Sequence, residues 1–170
     1  MDILATVKFW AENPLFDEET RTAAKNLLAD EKLNEREDCF GSLLEFGTGG
    51  LRGIMGVGTN RINRYTIQMA TEGVARIIEK KKNYSNATGG VIGYDSRPRS
   101  FEFAQISSEV FAAHGIPVFL FREIAPTPLV SFEILRRKAI AGIIITASHN
   151  PPEYNGYKVY WENGGLIVPP

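Results

Sequence analysis

The chain has 170 residues, with 19 Lys and Arg against 20 Asp and Glu, a formal net charge of −1 and 44% hydrophobic residues. These values are ordinary for one globular domain and exclude a disordered, collagen-like or coiled-coil chain. The near-zero net charge also argues against the broad positive surface that non-specific nucleic-acid binding requires, so we expect no nucleic-acid partner.

The cysteine content and the first residues bear on the cellular compartment. The single cysteine, Cys39, rules out an intrachain disulfide, and we expect it to be a small buried hydrophobe. Residues 1–8 carry an acid where a secretory leader has a base, and Lys8 interrupts their apolar run. The longest apolar stretch, near residues 139–145, is far shorter than the roughly 20 residues that a membrane span requires. We therefore expect a cytoplasmic protein with no membrane partner.

Residues 1–40 are predicted to form a helical arm ahead of the main domain, which we place at residues 41–170. The run Asp17–Glu19 opens one helix, because the helix macrodipole favours acidic residues in a first turn. A second, short helix is predicted over residues 34–40. Nothing in the arm carries recognisable chemistry, so we expect it to have a packing or interface role.

Residues 46–60 include six glycines, which argue against a regular helix and favour a backbone that approaches another group closely. Arg52 lies among them, and its planar guanidinium suits phosphate, with an ordinary surface arginine as the alternative. An amphipathic helix capped by Asn63 is then predicted over residues 64–82. Its buried face is predicted to consist of Ile67, Ala70, Val74, Ile77 and Ile78.

From Gly89 onward, apolar strands alternate with helices. Strands are predicted over residues 91–94, 117–121 and 141–145. One helix is predicted to begin after a Ser100 cap and to end at Gly115, with a cap or dipole role for His114, and another to begin at Thr127. Repeated β–α–β units predict an α/β fold, a three-layer α/β/α sandwich with a mostly parallel, mixed sheet, preceded by the N-terminal helical segment.

Ligands of such sheets bind beyond the carboxyl ends of the strands, where the loops 95–99, 123–127 and 146–156 lie. In the last loop, Ser148 closely follows a buried strand and can project its hydroxyl into the crevice, beside His149. Lys158, on the strand that follows, can stabilise phosphate charge or move a proton. Residue types alone leave a polar turn with a solvated lysine as an equal alternative.

Arg97 and Arg99 follow a strand and are candidate phosphate ligands, although a surface ion pair explains them as well. Nucleotide-binding motifs are absent, since the chain has no Gly-x-Gly-x-x-Gly in residues 46–60 and no Gly-Lys-Ser/Thr. Ser148 lacks a Gly-x-Ser-x-Gly context, and His149 directly after it is badly placed to act as its base, so a serine hydrolase is disfavoured. With two histidines and one cysteine, a self-contained zinc site is not expected.

Three motifs, in the right order, resemble those of the α-D-phosphohexomutase superfamily, which includes phosphoglucomutases and phosphomannomutases. Thr146–Pro151 (TASHNP) is similar to the phosphoserine loop of that superfamily, Phe46–Gly53 (FGTGGLRG) to its N-terminal motif and Asn155–Tyr160 (NGYKVY) to its Asn-Gly-aromatic-Lys strand. Residues 60–63 and 160–164 resemble the phosphoglucomutase/phosphopentomutase branch most. The resemblance covers roughly residues 40–170.

The resemblance implies that Ser148 carries a phosphoryl group, donates it to a sugar-phosphate hydroxyl and receives the other phosphoryl group of the resulting bisphosphate. It also implies that Arg52 and Lys158 clamp or protonate the transferring group and that His149 orients it. A Mg²⁺ ion would be bound by one phosphoserine oxygen and three aspartates of an Asp-x-Asp-x-Asp loop. The phosphate-binding residues implied in this way are Thr48, Gly49, Arg97 and Asn150.

The chain departs from this family pattern, because no Asp-x-Asp-x-Asp occurs in its 170 residues. The superfamily places that loop, sugar recognition and distal phosphate binding in later domains. We therefore expect this chain to be the N-terminal domain of a larger mutase and to be inactive alone. Its expected partners are sugar phosphates, a glucose 1,6-bisphosphate-type activator and the remaining domains of the same polypeptide. The alternative is a non-catalytic phosphate-binding or regulatory module.

Overall fold

The computed structural model describes residues 2–47, 49–81 and 89–167. Two predictions, Thr48 as a phosphate ligand and Lys82 as the last residue of a helix, concern residues outside these ranges. No helix within the ranges combines the length and the apolar character needed to cross a bilayer. In chain order the elements are α1 (Ile3–Glu12), α2 (Glu18–Asn26), a 3₁₀ turn (Asp30–Lys32), α3 (Leu33–Phe40), β1 (Leu51–Ile54), α4 (Arg64–Lys81), β2 (Gly90–Tyr94), α5 (Ser100–Ala113), β3 (Val118–Leu120), α6 (Thr127–Arg137), β4 (Ala141–Ile145) and β5 (Tyr154–Trp161).

The five strands form one mixed sheet in the order β1-β5-β4-β2-β3. β2 pairs in parallel with β3 and β4, whereas β5 pairs antiparallel with β4 and with β1. β5 therefore runs against the other four strands, which confirms the predicted mostly parallel, mixed sheet. β1 lies inside the glycine-rich stretch 46–60, where the sequence predicted only a closely approaching backbone.

Helices cover both faces of the sheet and so produce the three predicted layers. On one face, α4 and α5 pack against the strands through a core that includes Ile78, Phe103 and Ile143. On the other face, α6 packs against β2 and β4 through Ile134 and its neighbours. α6 can lie this close because β4 contains Gly142, where a Cβ would collide with the Ile134 side chain.

The predicted N-terminal helical segment is present and consists of α1, α2 and α3. A small core of its own joins Val7, Trp10 and Phe40, and Tyr65 at the start of α4 packs against it. Cys39 belongs to this core and is 7% exposed, which confirms that it is a buried small residue. Burial raises the pKa of the Cys39 thiol, so the reactive thiolate is disfavoured.

The starts of two helices differ in how well the sequence predicts them. Asn63 caps α4 as predicted, since its Oδ1 accepts two backbone N–H groups of the first turn at 3.1 and 3.0 Å. The predicted Ser100 cap is wrong: Arg99 precedes α5, in the left-handed region at φ 62°, and Ser100 is the first helical residue. The Ser100 hydroxyl is engaged elsewhere, because it donates to Asp95 Oδ1 at 2.7 Å.

The end of α5 is tied to α4. Gly115 has φ 63° just past the last turn, which confirms it as the stop signal. His114, the C-cap residue, does more than the expected cap role, because its two ring nitrogens lie 2.7 and 2.9 Å from carboxylate oxygens of Glu72 and Glu79 on α4. The side chain of one helix end therefore joins two neighbouring helices.

The buried face of α4 differs from the prediction at two residues. Ile67, Val74 and Ile78 are buried as predicted, but Ala70 is only partly buried and Ile77 is 49% exposed. Helical periodicity could not separate the two cases, because Ile77 lines an apolar groove whose walls have the same composition as a core. The groove, with a volume of about 660 Å³, is lined by residues that include Leu43, Phe46, Met69, Gly73 and Trp161.

Candidate active site

The carboxyl ends of β2 and β4 lie side by side, as the predicted site requires. The two strands are parallel neighbours, with Tyr94 opposite Ile145. The loop after β2 therefore begins beside the loop after β4, and the Asp95 N–H donates to the Ile145 carbonyl at 3.1 Å. β5 then returns antiparallel to β4, so that three neighbouring strands contribute residues to this end of the sheet.

Ser148 is exposed on the loop between β4 and β5. Its φ of 60° lies in the left-handed region, which costs a residue other than glycine about 1–2 kcal/mol. Hydrogen bonds within the loop hold this conformation: the Ser148 N–H donates to Thr146 Oγ1 at 2.9 Å, and the Asn150 N–H donates to the Ala147 carbonyl at 3.1 Å. His149 is also exposed. The loop thus presents its serine to solvent on a fixed backbone.

Arg97, in the loop after β2, binds the Ser148 loop through its carbonyl groups. The two Nη atoms donate at 2.6 to 3.1 Å to the carbonyls of Ser148, Asn150, Pro151 and Tyr154. The Arg97 Nε lies 3.3 Å from Asp95 Oδ2, an ion pair within its own loop. All of these contacts are to the protein itself, and the role of Arg97 as a phosphate ligand stays a prediction.

Arg99 has different partners from Arg97. Its guanidinium forms a two-point ion pair with Glu102, with both N–O distances at 2.9 Å. Hydrogen bonding to Glu102 raises the pKa of the Arg99 guanidinium and lowers that of the carboxyl. The surface ion pair, which the sequence left open as an alternative, therefore describes Arg99.

A buried polar network supports the two loops, and the sequence analysis predicted this supporting role for none of its members. Asn155 is fully buried, and its Nδ2 donates to Ser100 Oγ at 3.0 Å and to the Pro98 carbonyl at 3.1 Å. Its Oδ1 accepts the next backbone N–H at 2.8 Å. Asp95 Oδ1 accepts from Ser100 Oγ and from the Arg97 N–H. The available signals were an aspartate directly after a buried strand and an Asn-Gly pair at a strand start, both of which are typical of fixed turns.

Arg52 on β1 and Lys158 on β5 bring two positive charges to one face of the sheet. Arg52 is opposite Gly156, so Lys158, two residues further along β5, is its diagonal neighbour on that face. Thr146, from which the serine loop departs, bonds to Gly156 on the other side. Burial lowers the pKa of Lys158, the Arg52 charge lowers it further, and Asp95 opposes both. A lysine with a lowered pKa releases its proton more readily.

The turn before β1 packs closely against β5 because it contains Gly50. Gly50 has φ 107°, and a Cβ there would collide with the Tyr157 carbonyl oxygen. Gly49, a predicted phosphate-binding residue, is buried with φ 92° and lies beside the Arg52 guanidinium, since a Cβ on it would be 3.8 Å from Arg52 Nη2. Thr48, the neighbouring predicted ligand, lies outside the described residues.

Asn150 retains unused hydrogen-bonding capacity. Its Oδ1 is buried and has no hydrogen-bond partner among the described residues. An unpaired buried amide oxygen is costly, so a group that pairs with it would recover free energy. The amide can accept from a hydroxyl through Oδ1 or, turned over, donate to a phosphate oxygen through Nδ2.

The predicted residues thus form two groups at one end of the sheet. One group lies on the β4–β5 loop and contains Ser148, His149 and Asn150, all held by Arg97 or adjacent to its contacts. The other lies on β1 and β5, with the turn before β1, and contains Gly49, Arg52 and Lys158.

Within residues 2–47, 49–81 and 89–167, no group of three His, Cys, Asp or Glu side chains is arranged to hold a metal ion.

Known proteins share both the sequence and the fold. Residues 43–170 match the family described as phosphoglucomutase/phosphomannomutase, alpha/beta/alpha domain I. The phosphopentomutase of Pongo abelii is 45% identical over 167 residues, which are 95% of this chain and 27% of that protein. The phosphoglucomutase of Staphylococcus aureus is 45% identical over 133 residues, 78% of this chain and 24% of that protein. A crystal structure from Thermus thermophilus, described as a phosphomannomutase, has a TM-score of 0.67 and 33% identity, with 74% of this chain and 27% of that chain covered.

Proposed function

The chain belongs to the phosphoglucomutase/phosphomannomutase family, as its alpha/beta/alpha domain I, and on this premise we propose that it carries the phosphoserine of a phosphosugar mutase. The observation that carries the proposal is the exposed Ser148, on a fixed loop at the end of the sheet that Arg52 and Lys158 share. A substrate can reach a hydroxyl at that place, and two cations nearby can stabilise transferring charge. Because the chain spans 24–27% of the relatives' length, the activity belongs to a longer polypeptide.

In the proposed reaction, a phosphoryl group moves from Ser148 to a sugar phosphate. The bond between phosphorus and Ser148 Oγ breaks, a bond between phosphorus and a sugar oxygen forms, and one proton passes from the sugar hydroxyl to Ser148 Oγ. The resulting bisphosphate turns over in the site and returns its other phosphoryl group to Ser148, with one proton moving in the opposite sense. The isomeric monophosphate then leaves the site, in which Ser148 carries a phosphoryl group as it did at the start.

The residues around Ser148 divide the work of this transfer. The Arg52 guanidinium binds oxygens of the transferring group, for which its planar donors are suited. Lys158 handles the proton, because its lowered pKa favours proton exchange. His149, exposed directly beside Ser148, orients the group. Gly49 and Asn150 contact phosphate from the two sides, and Thr48 is expected to do the same.

A divalent cation and an activator belong to the proposal. The family is one of phosphomutases, for which Mg²⁺ is the expected ion, and a bound cation would neutralise charge on the phosphoryl group. Since no suitable carboxylate cluster occurs in the described residues, the ligand that this part of the chain would offer the cation is a phosphoryl oxygen on Ser148. A dephosphorylated Ser148 needs a bisphosphate to restore its phosphoryl group, so we propose a glucose 1,6-bisphosphate-type activator.

The substrate is proposed as a class. The relatives include phosphopentomutases and phosphoglucomutases, at up to 45% identity in both cases. We therefore propose transfer between C1 and C6 of a hexose, or between C1 and C5 of a pentose. Residues outside this chain are expected to choose between them.

Intact-mass analysis tests the proposal on the full-length polypeptide that contains this chain. After incubation with glucose 1,6-bisphosphate, we expect one added phosphoryl group, located at Ser148, and none in Ser148→Ala. Ser96→Ala, an exposed serine on the neighbouring loop, serves as the matched control and should keep the group. Isomerisation that persists in Ser148→Ala would contradict the proposal. Sugar-phosphate binding without any phosphorylation would favour the non-catalytic phosphate-binding or regulatory module.

A further inference from the structure

The guanidinium of Arg97 makes its contacts with the protein itself. Its two Nη atoms donate four hydrogen bonds to carbonyls of the 148–154 segment, and its Nε lies 3.3 Å from Asp95 Oδ2 in an ion pair. The side chain is 12% exposed, so little water competes for these contacts. The carbonyls come from positions spread over the whole turn, from Ser148 to Tyr154. One side chain therefore sets the path of the loop that presents the serine.

A role in binding phosphate would conflict with these contacts. Arginine binds phosphate through the same forked N–H groups that here reach the carbonyls. Moving them to a phosphate would leave up to four carbonyl groups without their charged donor, each at a cost. Arg52, which is exposed, and Lys158 lie at the same end of the sheet and carry positive charge to which a phosphate can bind.

We propose that Arg97 is a positioning residue that holds Ser148 in its left-handed conformation by binding the loop carbonyls, and that it does not bind the phosphate of the substrate. Asp95 orients the guanidinium through its ion pair with Nε. Asp95 is held in turn by the Ser100 hydroxyl, which donates to it and accepts from the Asn155 amide. Lysine cannot replace Arg97, because a single ammonium has three donors and lacks the planar fork. The inference about catalysis rests on the proposed function, whereas the inference about the loop does not.

Hydrogen exchange of the 170-residue chain, followed by mass spectrometry, tests the loop. The N–H groups of Ser148, Asn150 and Tyr154 are bonded inside the loop and report its opening. In Arg97→Met we expect them to exchange at least about tenfold faster, with β4 unchanged, because each charged hydrogen bond is worth about one factor of ten or more. Arg97→Lys should also exchange faster than the unaltered chain.

Arg99→Met is the matched control, since its guanidinium pairs with Glu102 on the adjacent helix, and it should leave loop exchange unchanged. If Arg97→Met unfolds the whole chain, Arg97→Lys decides the question, because it keeps the charge and most of the side-chain volume. Loop exchange in Arg97→Lys equal to that of the unaltered chain overturns the proposal.

Kinetics of the full-length polypeptide separate positioning from binding of the substrate's phosphate. For Arg97→Lys we expect kcat to fall by about tenfold or more while KM for the sugar phosphate changes by less than about twofold. A KM that rises while kcat is kept would identify a ligand of the substrate's phosphate and overturn the proposal. Should Ser148 never become phosphorylated, the proposed function fails while the exchange measurement still decides the role of Arg97 in the loop.

Discussion

Asn155 and Lys158 illustrate two ways in which a single residue is constrained by burial. Asn155 is completely enclosed, and both ends of its amide are paired, so burial adds to its stabilising effect. Lys158 is partly enclosed beside the like charge of Arg52, so its charged form is disfavoured. Asn155 stabilises the fold, whereas the charged form of Lys158 is destabilised by the same surroundings that suit it to proton transfer.

Replacement of Asn155 by alanine should destabilise the protein strongly. The change leaves the Gly156 N–H without its partner in a buried site and removes the donor to the Pro98 carbonyl, and we expect a loss of about 2 kcal/mol or more in the free energy of unfolding. Denaturant titration of the 170-residue chain measures it. Asn163→Ala, in an exposed turn, should cost less than about 0.5 kcal/mol. Equal losses in the two variants would show that the buried network contributes nothing special.

Among the elements, the contact between α4 and α5 combines a buried apolar surface with one ionisable link. His114 at the end of α5 lies between Glu79 and Glu72 of α4, and hydrogen bonds to Glu79 and then Glu72 raise its pKa above the ordinary 6.5. Hydrogen bonding to His114 is also the main reason why the pKa of Glu72 falls below 4.5. Protonated histidine and ionised glutamate therefore stabilise each other in the folded state.

The link predicts a particular pH dependence. The His114 contribution is complete below pH 6.5 and disappears as the pH rises through its raised pKa, whereas the Glu72 contribution is complete above pH 4.5 and disappears as the pH falls. His114→Gln should therefore lose most stability, relative to the unaltered chain, between these two values, and less at alkaline pH. Unfolding titrations across this range measure the difference. Arg76→Gln removes an ion pair within α4, and its loss of stability should not shrink at alkaline pH in the same way. A loss of stability in His114→Gln that grows as the pH rises would contradict the assignment.

How well each element could be predicted followed from the range of its interactions. β4 is apolar on both faces, and α4 has a periodic stripe and an Asn63 cap, so local sequence was sufficient for both. β1 was missed because its four residues form a strand only by pairing with β5, which is about a hundred residues away in the chain. The Ser100 cap failed for a local reason, since α5 already begins at Ser100 and the Ser100 hydroxyl donates to Asp95 in the loop just before the helix.

For the site, the sequence could indicate which residues belong to it, but not which groups those residues contact. Ser148, Arg52 and Lys158 could be selected from motifs and residue chemistry, and the sheet register brings Arg52 and Lys158 onto one face. The partners of Arg97 could not be predicted, because four of them are backbone carbonyls, which carry no sequence signal. Asn155 was hidden for the complementary reason that a buried asparagine and an exposed one look alike in sequence.

The whole molecule provides one side of a larger catalytic centre under the proposed function. The chain covers 27% of a phosphopentomutase, and within the part that the structure describes no carboxylate cluster could bind a metal ion. Its apolar groove leaves Met69 and Ile77 largely exposed, and its nucleophile faces solvent.

The 170-residue chain alone is therefore expected not to isomerise sugar phosphates and to bind Mg²⁺ weakly. The physical reason is that positioning and charge stabilisation from one side leave most of the transition-state charge uncompensated. A coupled assay with glucose 1-phosphate, Mg²⁺ and glucose 1,6-bisphosphate should show no turnover above a protein-free blank, with the full-length polypeptide as the positive control. Turnover by the short chain that Ser148→Ala abolishes would contradict this expectation.

The backbone angle of Ser148 carries an evolutionary consequence. Glycine would relax the loop at φ 60°, so selection for a sturdier protein alone would push this position toward glycine. Keeping a hydroxyl at this position costs a small amount of free energy, which the remainder of the fold must offset. In a related protein that no longer needs the hydroxyl, selection for stability alone would favour glycine at position 148.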